Sequence, residues 1–182
     1  MKKSAKEDSF IHVIVGDVVN TQKRLKRSKS STIKRDLVRA TFAAIEGSLF
    51  ILKNGLKTYI EAFKPRTPHL LSVLDEETWF VNDKGDISKA KKFVPITNQI
   101  KLIAKVLSQH LPKQDYEHIG YKSLVESIDV RNRLTHPKSL SDLNVSDAEV
   151  RSCNAALFWV LAFVMESQET IRDSVTLHIK NR

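Results

Sequence analysis

Cysteine is nearly missing from this chain of 182 residues: Cys153 stands alone, so no disulfide can close within one copy and no multi-cysteine zinc site can form. A single thiol fits a reducing compartment, and the expectation is a cytoplasmic protein. Cys153 falls on the apolar side of a helical pattern, so a buried small side chain is expected there rather than a nucleophile. Glycine and proline are equally sparse, five of each, which favours long regular elements over a loop-rich or disordered chain. A glycine-rich phosphate loop is absent; Lys84-Gly85 is only a turn signal. Long apolar runs are missing too. The longest, Ala155 to Met165, is shorter than the roughly 20 residues that a bilayer requires, and the stretch from Phe10 is interrupted by His12, Gly16 and Asp17. Neither a membrane segment nor a secretory signal is therefore expected. Metal ligands are not arranged either: Asp115, Glu117 and His118, and the run Asp75-Glu76-Glu77, lack the spacing of metalloprotease or calcium sites and read as solvated loops, so no metal or cofactor is expected.

What the chain has in excess is positive charge. Its net charge of +9 favours an acidic partner, of which nucleic acid is the commonest. The cations cluster: Lys23, Arg24, Lys26, Arg27, Lys29, Lys34, Arg35 and Arg39 in one stretch, Lys84, Lys89, Lys91 and Lys92 in another. Solvated faces that aid solubility are the alternative explanation.

Apolar periodicity supplies the fold class. Phe10, Val13, Ile14, Val18 and Leu25 have near-helical spacing, although their β-branched content would also suit a strand. Val38, Phe42, Ile45, Leu49 and Leu52 alternate steps of four and three, predicting an amphipathic helix over 32–53 that Asn54-Gly55 stops. Gly47 on that helix points to a close approach by a neighbour. Pro65-Arg66-Thr67-Pro68 breaks the pattern. Thr78-Trp79-Phe80-Val81, the turn Asn82-Asp83-Lys84-Gly85, and Asp86-Ile87 then read as a small hairpin. Burial of Trp79 and Phe80 against the helices is expected, with base stacking as the alternative. A third helix carries Ile96, Ile100, Ile103, Leu107 and Leu111 up to Pro112. A fourth, from about Tyr121, ends at His136 because the residue before Pro137 is pushed out of the α region. After the polar loop 138–144, Ser146 and Glu149 form a capping box, with Val145 and Val150 in staple positions, and open the last helix. The middle of that helix is apolar almost all round and should be covered on two sides, one of them by a further helix or by a second copy. The reading is an all-α chain: a helical bundle of about five main helices, a single domain over 1–182, with a short β-hairpin insertion near 69–95.

The end of the fourth helix carries the chemistry. Arg131-Asn132-Arg133-Leu134-Thr135-His136 sets a planar phosphate-binding fork, an amide and an imidazole able to move protons near neutrality beside one another. On an ideal helix Arg131 and His136 differ by about 140° in direction, but Pro137 releases His136 from helical geometry. Two such ends packed about a twofold axis could enclose one phosphate. The chemistry these groups suit is attack of an RNA 2′-hydroxyl on its own phosphodiester without a metal, with His136 as acid or base, Arg131 stabilising the phosphoryl oxygens and Asn132 orienting. Arg133 could add phosphate affinity, and Glu46 could reach the groove, although an ordinary ion pair is the commoner role of such a carboxylate. Arg35 and Arg39, which share a strip with Glu46, and Lys138 beyond the helix are the residues expected to bind RNA. A purely structural reading also stands: a histidine in a last helical turn suits the macrodipole, and a proline is a normal stop.

This spacing, an arginine and polar neighbour at Arg131-Asn132 and then His136 after Arg133-Leu134-Thr135, resembles the signature of the HEPN superfamily, the higher eukaryote and prokaryote nucleotide-binding helical domains. The resemblance is concentrated in 131–136. It implies a helical bundle that dimerises through the motif-bearing helices and, for many members, a ribonuclease of toxin or defence type with RNA as substrate and an antitoxin or regulatory protein as partner. Other members are non-catalytic modules that bind RNA, a nucleotide or a protein. This chain departs from active members at Pro137 and Lys138, where an aromatic two positions past the histidine is frequent.

Overall fold

The structure, a computed structural model, describes residues 2–63, 67–112 and 114–180, and side chains from residue 10 onward. In chain order it contains α1 (Lys2–Arg27), α2 (Ser31–Phe63), α3 (Pro68–Leu74), β1 (Glu77–Val81), β2 (Ile87–Lys91), α4 (Ile96–Val106), α5 (Ile119–Thr135), a 3-10 turn (Leu140–Leu143) and α6 (Asp147–Lys180). The fold is all-α with one short β-hairpin. Of the expected break, Pro65 and Arg66 lie outside the described residues, while Pro68 opens α3, where its missing N–H costs nothing.

Asn54-Gly55 does not stop α2, contrary to the sequence reading. Leu52, Leu56, Tyr59 and Ile60 continue the apolar stripe and are buried. Glycine costs a helix about 1 kcal/mol, whereas each fully buried leucine or isoleucine returns about 1.5–3 kcal/mol, so packing decides where the helix ends.

The backbone clusters into two compact units, one of residues 1–51 and 114–165, the other of 52–113 and 166–182; α2 and α6 contribute to each. In the first unit α1, α2, α5 and α6 enclose a core that includes Val18, Leu37, Val38, Ile45, Leu124, Cys153 and Val160. Two glycines set close approaches. A Cβ on Gly47 would lie 2.6 Å from Ile14 of α1, and one on Gly120, at the start of α5, would lie 2.5 Å from the Cβ of Trp159 on α6. Ser146 and Glu149 form the expected capping box: the Glu149 N–H donates to the Ser146 hydroxyl at 3.2 Å and the Ser146 N–H to the Glu149 carboxylate at 2.7 Å. Thr41 and Ser48 are buried on α2 with hydroxyl oxygens that have no hydrogen-bond partner among the described residues.

In the second unit β1 and β2 pair antiparallel, with Glu77 opposite Lys91, Trp79 opposite Lys89 and Val81 opposite Ile87. Glu76, in a left-handed conformation (φ 55°), leads into the ribbon and is held by Lys53 at 2.8 Å and by Gln99 at 3.0 Å. The expected burial of the hairpin is not found. Trp79 is 55% and Ile87 74% exposed, and Phe80 and Val81 are exposed as well. Alternation puts Trp79, Val81 and Ile87 on one side of the ribbon and Phe80 on the other, and their exposure shows that among the described residues neither side is covered by a second layer. The Trp79 indole N–H donates to the Ser72 hydroxyl of α3 at 2.7 Å.

Among the described residues, α6 is the one helix long and apolar enough to cross a membrane, a property of length and composition that core helices of soluble proteins share. One face carries Val150, Cys153, Leu157, Val160 and Val164 into the core, while Phe158 and Met165 are exposed in the single chain.

Candidate functional site at the end of α5

The placement of the motif follows from which face of α5 is buried. Leu124, Ser127, Val130 and Leu134 point into the first unit, which turns Arg131 toward α2 and leaves Asn132 and Thr135 at the surface. Arg131 Nη2 meets Glu46 Oε1 at 2.8 Å, its Nη1 donates to Asn132 Oδ1 at 3.2 Å, and the guanidinium carbon sits 6.0 Å from the centre of the Phe42 ring. The Arg131 side chain keeps 33% of its surface exposed. A guanidinium has five N–H donors, so the carboxylate and the amide orient the group while leaving further donors for an anion.

The helix ends as Pro137 demands. His136 leaves the α region with φ −129° and ψ 60°, while its N–H still bonds the Asn132 carbonyl at 3.0 Å. Its side chain is exposed, and among the described residues the imidazole enters no hydrogen bond or ion pair. The structure thus brings Arg131, Asn132 and Glu46 together and sets His136 just past the helix end.

Arg133 points elsewhere. It donates to the carbonyls of Asp142 and Asn144, both at 2.7 Å, and pairs with Glu149 on α6. These bonds fasten the 138–144 loop to both helices. Asp142 tightens the same loop by accepting from the backbone N–H groups of Lys138 at 2.8 Å and Ser139 at 3.0 Å; the Lys138 N–H, more than any other neighbour, holds the Asp142 carboxyl below its usual range, with the Ser139 bonds and the charge of Arg133 adding to it. Burial disfavours charge on Glu149, yet the Ser146 N–H, the Arg133 guanidinium and the Ser146 hydroxyl together keep its carboxyl below the usual range.

The residues expected to bind RNA are divided. Arg35 donates to the Leu143 carbonyl at 3.3 Å and to Thr32 at 3.0 Å, and Arg39 faces Asp36 at 3.6 Å. Lys138 contributes its backbone N–H to the loop and leaves its side chain exposed. Sequence reasoning missed Phe42 as the ring under Arg131 and missed the role of Arg133. The capping box marked Glu149, but no local spacing ties it to an arginine on another helix. Cys153 is buried, and burial pushes its thiol up. Among the described residues no three His, Cys, Asp or Glu side chains are grouped to hold a metal ion.

No protein-family model matches this chain, and neither does any curated protein or solved structure.

Proposed function

We propose that the protein is a metal-independent endoribonuclease in which Arg131, Asn132 and His136 act on a phosphodiester of RNA. The observation that carries the reading is the end of α5: a half-buried guanidinium oriented by Glu46 and Asn132 and, just past the last turn, a solvent-facing imidazole that enters no hydrogen bond or ion pair among the described residues. Arg131 stabilises charge on the phosphoryl oxygens through its remaining donors, and His136 moves the proton of the attacking 2′-hydroxyl or of the leaving oxygen. The product is a 2′,3′-cyclic phosphate, and DNA, lacking the nucleophile, is inert. A second copy related by a twofold axis supplies a second arginine and histidine to the same phosphate. The HEPN resemblance of Arg131, Asn132 and His136 supports this reading.

Incubation of bulk RNA with the protein in EDTA tests it. Wild type cleaves, while His136→Ala and Arg131→Ala retain the circular dichroism of the wild type and lose cleavage. Equal nicking by all three proteins rejects the proposal. A second reading rests on the Glu46 contact: a guanidinium already engaged by a carboxylate can be a structural tie, and the protein is then a non-catalytic module that binds RNA, a nucleotide or a protein. Under that reading RNA stays intact, and Arg131→Ala lowers the melting temperature.

A further inference from the structure

Six of the eight cations in the first basic cluster of the sequence fall into two groups. The cations on α2 are engaged: Lys34 with Asp147 at 2.8 Å, Arg35 with Leu143, and Arg39 with Asp36, which Arg24 of α1 also approaches. Lys26 and Lys29, where α1 ends, enter no ion pair among the described residues, and neither does Arg151 one turn into α6. These three unpaired cations line a single cleft of about 520 Å³, a size that suits a small ligand or one unit of a polymer.

The rest of the lining is of a different kind. Leu37 and Val150 form a buried apolar floor, and Phe158 lines the cleft with 68% of its surface exposed. The Gln22 side-chain amide, also in the lining, donates to Asn154 Oδ1 at 2.9 Å, which among the described residues leaves the Asn154 NH2 and the Gln22 carbonyl available to a polar edge. Among the described residues Asp147 is the only acid in the lining. Lys34 bonds it, and the charges of Lys29 and Arg151 add to the field that keeps it ionised. Lys26, Lys29 and Arg151 thus face one carboxylate in the lining, and the cleft holds a net positive charge.

We propose that this cleft seats one nucleotide of a single-stranded RNA, its base stacked on Phe158 and its flanking phosphates on Lys26, Lys29 and Arg151. Cations alone would serve any polyanion, including an acidic protein. An exposed aromatic ring and free amide groups in the same cleft add what a base needs: a stacking surface and hydrogen bonds to its edge. The inference takes from the proposed function only that RNA is the polyanion, and it assigns residues that lie apart from the Arg131 and His136 motif in sequence and chemistry.

The test measures binding of a short fluorescein-labelled oligouridylate by anisotropy, in EDTA, across a range of salt, with the full chain carrying His136→Ala so that the RNA is not consumed. In that background the Lys26→Gln, Lys29→Gln, Arg151→Gln triple variant flattens the slope of log K against log salt by about 2, the share of three phosphate contacts on a single strand. Phe158→Ala weakens binding ~5- to 100-fold, the range of stacking on one aromatic side chain, and leaves the slope unchanged. Phe158→Tyr restores it. Inorganic polyphosphate, which carries charge without bases, is bound equally by Phe158→Ala and its parent. All four positions are exposed, so the variants keep the parental melting curve. An unchanged salt slope in the triple variant, or an unchanged RNA affinity for Phe158→Ala, overturns the inference, as does equal loss of polyphosphate and RNA binding. A protein that never cleaves RNA but behaves in this way retains the cleft and loses the proposed activity. One that cleaves while the cleft variants bind normally retains the activity and loses the cleft.

Discussion

Replacing Arg133 with alanine removes two hydrogen bonds of 2.7 Å to loop carbonyls and the ion pair with Glu149. A hydrogen bond to a charged group contributes about 1.5–3 kcal/mol when protected from water, so three fully buried ones would exceed 4 kcal/mol. Arg133 and Glu149 keep 27% and 31% of their side-chain surface exposed, and water replaces part of what is lost, as at other accessible ion pairs. The expected cost is ~2–3 kcal/mol, or a fall in melting temperature of ~5–10 °C for a chain of this length. Arg133→Lys keeps the charge but cannot reach three acceptors with one ammonium, and its loss is about half as large.

Circular dichroism melts across pH separate the two kinds of bond. The Glu149 carboxyl lies below its ordinary 4.5 in the folded protein, so its contribution is complete above that value and disappears as pH falls through the lowered folded one. The difference between wild type and Arg133→Ala is therefore full at neutral pH and narrows in acid to what the two carbonyl bonds supply. A variant that melts within ~2 °C of wild type at neutral pH, given the scale of ~2–4 °C per kcal/mol, refutes the structural role of Arg133. A gap that stays constant into acid refutes the Glu149 part of the argument.

Glycine substitutions should have opposite signs at two helical sites. Gly120→Ala forces a Cβ against Trp159 and destabilises by ~1–3 kcal/mol, outweighing the better helix propensity of alanine, whereas Gly55→Ala, whose Cβ meets nothing within 4 Å, stabilises by ~0.5–1 kcal/mol in denaturant titration. Thr41→Val and Ser48→Ala remove buried hydroxyls that have no partner among the described residues and should each raise stability by ~1 kcal/mol; a loss in both variants refutes this reading.

The helices were readable because burial on one face leaves a period in the sequence. The stripe of α2, the stop of α5 at Pro137 and the start of α6 at Ser146 are each a local signal with a local cause. The extension of α2 past Gly55 was not readable from the turn pair, since Leu56 and Ile60 matter only once something packs on them. Exposure of Trp79 was equally hidden: alternation announces a strand, but not whether a second layer exists to cover it. At the candidate site, the residues from Arg131 to His136 and the strip containing Glu46 were visible in sequence. The diversion of Arg133 into a loop-fastening role was not, because it depends on carbonyls that become neighbours only after the chain has turned between α5 and α6.

The hairpin has a consequence for behaviour in concentrated solution. Among the described residues its sheet has two strands and none lies beside the outer row of amides and carbonyls on β2, which offers a template for another chain. Lys89 and Lys91 on that strand share the single carboxylate of Glu77, so with Lys84 in the turn and Lys92 just beyond the edge keeps a net positive charge that opposes such stacking by repulsion between molecules. Acetylating those lysines would remove the repulsion and leave the ribbon's open edge free to pair with its copies.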